Sequence, residues 1–211
     1  MNIAIVAATE FELNGIAKKC NSAKHKIETF IHGVGLMAST YHLAKLARGN
    51  PNLIIQIGIA GSYTKTLQLG EVVFVKQEIL GDTGAEDHNQ LLDLLDLELQ
   101  EADAFPFKSM MLENPMQYPF FNRLKKVRAL TVALAAGSAQ TIQLRQEKFK
   151  AQIESMEGAA LHYICLQEKI NFVQCRGISN YVEPRNKTNW QIQLAIANCQ
   201  QEVLSFIQSI S

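Results

Sequence analysis

Short apolar runs alternate along the chain with stretches whose apolar residues recur at helical spacing. That alternation predicts an α/β fold rather than segregated helices and strands. Residues 2–8 read as a buried strand, and 10–19 as a helix that opens with two carboxylates. Residues 26–31 read as a second strand, running into His32, Gly33, Val34 and Gly35. The spacing over 37–48 predicts an amphipathic helix with Leu43, Leu46 and Ala47 on one side. Residues 53–58 read as another buried strand that enters a turn from Gly58 to Ser62, and 71–80 as a long strand. From 81 to 119 the pattern weakens among Gly81, Gly84, Pro106, Pro115 and Pro119, apart from a short helix near 90–100. A connection of that length is more often functional than passive. Strand character resumes over 128–134, followed by helices over 139–150 and 158–168, a strand from 171, and a long amphipathic helix over 189–209.

Length and composition narrow the class. A chain of 211 residues, 47% hydrophobic and 19% charged, buries a full core, and residues 1–211 are expected to form a single domain. The formal net charge is zero, so nothing electrostatic points to nucleic acid or an anionic membrane as partner. Cys20, Cys165, Cys175 and Cys199 include no CxxC pair, and no His stands at zinc-ligand spacing. Reduced cysteines in a cytoplasmic protein, with no metal and no cofactor, are the expectation. Met1 and Asn2 lead into the first strand without a basic n-region, so no leader is expected, and no apolar run reaches transmembrane length.

The most informative segment is the strand from 171, which delivers Arg176, Ser179 and Asn180 to its exit, with Arg185, Asn186 and Trp190 beyond. Ligand sites of open α/β sheets lie at the carboxyl ends of strands. Glu10 and Glu12 sit where acidic residues suit a first helical turn, and equally where one of them reaches over the strand end as a general base. Met156 and Glu157 precede a helix start of small residues; a carboxylate there suits either the helix terminus or the vicinal hydroxyls of a ribose. Gly33, Gly35, Gly58 and Gly61 permit close backbone approach but form neither GxGxxG nor a Walker loop. His25, His32, His42, His88 and His162 read as surface or satisfied core residues. Phe105, Phe107, Phe120 and Phe121 suit an apolar lid, a core or an interface.

In order along the chain, Ala8–Leu13, Gly33–Gly35, Gly58–Gly61, Ser155–Ala160 and Arg176–Asn180 together resemble the purine nucleoside phosphorylase/nucleosidase superfamily, and within it the nucleosidases. The resemblance covers essentially the whole chain. It implies a three-layer α/β/α fold around a twisted mixed sheet, a small nucleoside as ligand, and a homodimer or higher homo-oligomer. By the same resemblance Glu12 activates water, Arg176 helps to hold that water, Met156 packs on the ribose and Glu157 accepts its hydroxyls. Asn180 takes the position that meets the purine N7 edge, with Ser179 behind it and Gly61 beside the ligand. Adenosine-type nucleosidases carry Asp there. An Asn is no acid near neutral pH, but it donates to a 6-oxo group and accepts N7–H, so it favours hypoxanthine or guanine over adenine.

Residues 177–190 and 80–87 are similar to the futalosine-hydrolysing members of that superfamily. Their substrate is an inosine-like nucleoside with a carboxyphenyl extension at the 5′ end. Arg185 is a candidate for the tail carboxylate, or a salt-bridge partner of Glu183 or another acidic neighbour. Two departures stand out: Ile59 replaces a common Ser, and Gln140 falls where adenine nucleosidases stack a Phe. The rivals are a phosphorylase of the same superfamily, a methylthioadenosine-type nucleosidase, and a non-catalytic nucleoside-binding protein.

Overall fold

Apolar residues at alternate strand positions sort onto opposite faces of a sheet, and here that alternation builds two separate cores. The computed structural model describes residues 1–211 apart from 17, 18, 21 and 185. In chain order the first elements are β1 (Asn2–Ala7), α1 (Glu10–Leu13), β2 (Lys26–Ile31), α2 (Leu36–Ala47), β3 (Leu53–Ser62) and β4 (Val72–Leu80). A hairpin of β5 (Gly84–Asp87) and β6 (Gln90–Asp93) follows, then β7 (Leu112–Glu113), β8 (Lys125–Thr131), α3 (Ala139–Phe149) and β9 (Ile153–Ser155). The chain closes with α4 (Gly158–Gln167), β10 (Asn171–Tyr181) and α5 (Ile192–Ile210).

Ile3, Ile5, Leu53, Ile55, Ile57, Val173 and Cys175 face α5, where they meet Cys199, Val203, Phe206 and Ile207. Ala4, Val6, Ile54 and Phe172 point the other way, against Leu43 of α2 and Leu161, Ile164 and Cys165 of α4. Helices on both faces of a mixed sheet make the three-layer α/β/α arrangement. Each fully buried Ile or Val contributes about 1.5–3 kcal/mol. The sheet also curls: β3 pairs with β10, β10 with β4, β4 with β8, β8 with β9, and β9 again with β3. Val73, Val75, Val127, Ala129, Ile153 and Ile178 pack together within that group of strands.

The helix expected over 10–19 ends at Leu13. Asn14–Ile16 form turns, with Gly15, a poor helix former, lying against the Gln200 side chain; residues 17 and 18 lie outside the described residues. The expected turn from Gly58 to Ser62 is strand instead, because β3 is paired there by β10 on one side and β9 on the other. The helix expected near 90–100 is replaced by the β5–β6 hairpin and turns, His88 adopting a left-handed φ of 54° at the hairpin tip. The strand expected over 128–134 runs from Lys125 to Thr131, which leaves 132–138 as a loop. Phe121 is core and Phe107 is buried, while Phe105 is exposed; none of the four phenylalanines of that connection borders the cavity described next, so they form no lid.

Candidate active site

The carboxyl ends of β1, β3 and β10 open into one cavity of about 290 Å³, closed on its other sides by β9, the 132–136 loop and the start of α5. Glu12, Gly61, Met156, Glu157, Ser179 and Asn180 all line it. Ile59 lines it as well, in place of the common Ser. Arg185 lies outside the described residues.

Glu12 reaches the wall through the turn that α1 makes. Its Oε2 accepts from Thr9 N at 3.0 Å and from Thr9 Oγ1 at 2.9 Å, a capping box that fixes the side chain while leaving Oε1 for other partners. Glu12 thus caps α1 and also borders the cavity. Glu10 is exposed and lies outside it. Burial raises the Glu12 pKa, and Arg176 and the Thr9 bonds oppose that rise.

Arg176 does not line the cavity. Its guanidinium is buried behind the wall, where Nη1 lies 3.5 Å from Glu157 Oε2 and Nη2 donates to Gln56 Oε1 at 3.1 Å. Gly58 makes that route passable. A Cβ there would fall 2.3 Å from Arg176 Nη1 and 3.1 Å from Glu12 Oε1, so both side chains approach a bare backbone. The structure thus seats Arg176 behind the wall, beside Glu157 and Gln56.

Glu157 caps α4 and accepts from Gly35 N at 3.2 Å through Oε1. At the far side, the β10–β3 register slips between Ile178 and Asn180, a bulge that leaves Ser179 as the extra residue. Bulges re-aim side chains at sheet edges. Ser179 Oγ donates to Asn180 Oδ1 at 2.7 Å, and Asn180 Nδ2 donates to Tyr181 O at 3.0 Å. A carboxamide has two hydrogens and two lone pairs, so one of each remains for a further partner.

Several contributors were missed in the sequence. Gln56 sits in the middle of the apolar run 53–57, and that lone polar residue was the available signal. Its Nε2 donates to Nε2 of His32 at 3.0 Å, while His32 Nδ1 meets Gly33 O at 2.9 Å. Burial holds the His32 imidazole neutral by pushing its pKa down to about 4. Glu154 also lines the cavity, among Arg145, Tyr63 and Ala136. Gln140 is exposed on α3 and donates to Asn89, so it replaces no stacking ring. Apolar cover comes instead from Val132, Val182, Trp190, Ile192 and Ile196. Among the described residues no His, Cys, Asp or Glu group is placed to hold a metal ion, and no helix is long and apolar enough to cross a membrane.

A sequence model of the phosphorylase superfamily matches residues 2–208. Futalosine hydrolase of Thermus thermophilus is 27% identical over 166 residues, 78% of this chain and 74% of the relative. A 5′-methylthioadenosine/S-adenosylhomocysteine nucleosidase of Psychromonas ingrahamii is 27% identical over 209 residues, 93% of this chain and 84% of the relative. The solved structure of a futalosine hydrolase mutant of Helicobacter pylori superposes with a TM-score of 0.83 over 99% of both chains at 15% identity, a likeness of fold. With its motifs gathered around one cavity and its length matched from residue 2 to 208, the chain belongs to the phosphorylase superfamily.

Proposed function

We propose that this chain, acting as one nucleosidase domain over 1–211, hydrolyses the N-ribosidic bond of futalosine and releases hypoxanthine, on the futalosine route to menaquinone. The observation that carries the reading is the convergence of two buried carboxylates, Glu12 and Glu157, with the neutral amide of Asn180 on a single cavity. Glu12 takes a proton from water as the water oxygen bonds to C1′. The N9–C1′ electron pair passes to the purine through an oxocarbenium-like sugar, and the purine regains the proton afterwards. Glu157 accepts the ribose hydroxyls over Met156. Asn180 donates to the 6-oxo group, where negative charge collects.

The cavity wall carries no Lys or Arg among the described residues, which supports water over phosphate as the nucleophile. Retention of Glu12 within reach of the cavity supports an enzyme over a simple binding protein. A methylthioadenosine-type nucleosidase shares every feature except the base edge, where Asn180 supports an oxopurine. Homodimerisation, a reducing cytoplasm, independence of any cofactor and a role for Arg185 at the substrate tail belong to the same reading. The test is chromatography of futalosine and methylthioadenosine after incubation with the purified protein, with and without phosphate. Phosphate-independent hypoxanthine is the expected product; adenine release with futalosine untouched would refute the substrate assignment.

A further inference from the structure

Glu157 is the N-cap residue of α4, yet its side chain makes no capping bond. It turns to the cavity wall instead, accepting from Gly35 N at 3.2 Å and lying 3.5 Å from Arg176 Nη1. The first N–H groups of a helix have no partner within it, and an N-cap side chain ordinarily accepts from the second or third. Here the second, Ala159 N, donates to Thr131 Oγ1 at 2.8 Å, at the end of β8. Ala159 and Thr131 are each 1% exposed, so bulk water cannot replace that bond.

The Thr131 hydroxyl is itself held. It donates to Glu78 Oε2 at 2.8 Å, which turns a lone pair toward Ala159, and Gln174 Nε2 donates to the other carboxylate oxygen at 2.8 Å. Glu78 comes this close to the helix start because residue 158 is glycine: a Cβ there would fall 1.7 Å from Glu78 Oε1. The same strand end grips the chain ahead of Glu157. Thr131 pairs with Ser155, and Val132 N donates to Ser155 O at 2.9 Å. Met156 and Glu157 therefore form a two-residue corner tied to the end of β8 on both sides, at Ser155 through backbone and at Ala159 through one hydroxyl. Only the second tie depends on a side chain.

We propose that Thr131 is a positioning residue of the site: held by Glu78, it caps α4 in place of Glu157 and so leaves the Glu157 carboxylate free to face a nucleoside ribose. This rests on the nucleosidase reading above, in which Glu157 accepts the ribose hydroxyls, and adds the residue that keeps that carboxylate in place. Thr131 does not border the cavity, so its effect passes through the backbone of residues 157–159. A misplacement of about 1 Å in a substrate-positioning group costs on the order of 100-fold.

The test is a double-mutant cycle of Thr131→Val and Glu157→Ala, read as kcat/KM on whichever of futalosine and methylthioadenosine the wild type cleaves. Thr131→Val keeps the branched shape and removes the hydroxyl, and is expected to lose about 10–100-fold. Thr131→Ser keeps the hydroxyl and is expected to stay within about threefold of the wild type. Because Thr131 acts through Glu157, adding Thr131→Val to Glu157→Ala is expected to cost about twofold more at most. Losses that multiply would mark a general structural role and overturn the proposal. So would wild-type kinetics in Thr131→Val, or a Thr131→Ser variant as impaired as Thr131→Val. If Thr131→Val does not fold, Thr131→Ala, which leaves room for a water on Ala159 N, carries the same cycle; failure of both to fold makes the hydroxyl structural and overturns the proposal. Cleavage of methylthioadenosine alone would sink the substrate assignment and leave the cycle to decide this role. If neither nucleoside is cleaved, the nucleosidase reading fails and the cycle is read by calorimetry with futalosine. Losses of affinity that again do not multiply support the role of Thr131, and multiplying losses or absent binding overturn it.

Discussion

Arg176 Nη2 donates to Gln56 Oε1 at 3.1 Å, and this bond orients the cation that stands behind both cavity carboxylates. Gln56 can accept from Arg176 only with its NH2 turned toward His32, whose neutral Nε2 is the acceptor. His32 therefore fixes the orientation of Gln56, and Gln56 that of Arg176. Replacing Gln56 with Leu removes the acceptor and leaves Arg176 less restrained. The expected result is a fall in kcat of about tenfold or more with a smaller change in KM, and a stability loss of about 1–3 kcal/mol. Steady-state kinetics alongside denaturant unfolding will check it; unchanged kcat would remove Gln56 from any positioning role.

Glu12→Gln keeps the size and the Thr9 contacts of the side chain but removes the proposed base. We expect kcat to fall by about 10²–10⁴-fold while hypoxanthine still binds. Calorimetry and single-turnover assays separate the two effects, and near-normal turnover would eliminate Glu12 as the base.

The pH profile tests the same carboxylate from the other side. Burial raises the Glu12 pKa and Arg176 lowers it. The base works only when ionised, so the acid limb of kcat/KM is expected above the ordinary Glu value of about 4.3. Removing the cation removes the lowering influence. Arg176→Met is therefore expected to move that limb to higher pH, and a limb that stays in place would show that Arg176 does not act on Glu12.

Gly58→Ala places a methyl group 2.3 Å from Arg176 Nη1 inside a paired strand. β3 adopts no positive φ at this residue, so the backbone tolerates alanine and the clash falls on the guanidinium. The expected outcome is a folded protein that has lost most of its turnover, seen as a retained circular dichroism spectrum with kcat reduced at least about tenfold. Wild-type activity in that variant would show that Arg176 has freedom the packing denies it.

Most of the sheet was legible because alternating apolar residues in 2–7, 53–57 and 171–175 can satisfy both faces only as buried strands. The glycines of 58–61 misled the reading. Glycine signals a turn from sequence alone, but here a neighbouring side chain, Arg176 at Gly58 and Val182 at Gly61, crowds the space a Cβ would take. Glu12, Glu157 and Asn180 were legible through their motifs. Glu154 was not, since its place opposite Gly61 depends on an antiparallel pairing of residues 93 positions apart that no local pattern reports. Arg176 stood out through the same motif, but its seat behind the wall depends on Gln56, a contact across 120 residues.

Glu78 offers a stability test independent of substrate. It is fully buried beneath the start of α4, where Oε1 accepts from Gln174 Nε2 and Oε2 from Thr131 Oγ1, each at 2.8 Å. Burial pushes its pKa up to about 7, against the lowering influence of those bonds and of Arg176. A carboxyl whose folded pKa lies above its unfolded value binds its proton more tightly when folded. Its contribution is complete below about pH 4.5 and is lost as pH rises through about 7. The loss amounts to roughly 3 kcal/mol at most. Glu78→Gln stays neutral throughout, with its carbonyl accepting from Gln174 and its amide donating to Thr131. Denaturant midpoints measured from about pH 5 to about pH 8 should fall more steeply in the wild type than in the variant. Parallel curves would mean that Glu78 does not titrate in this window.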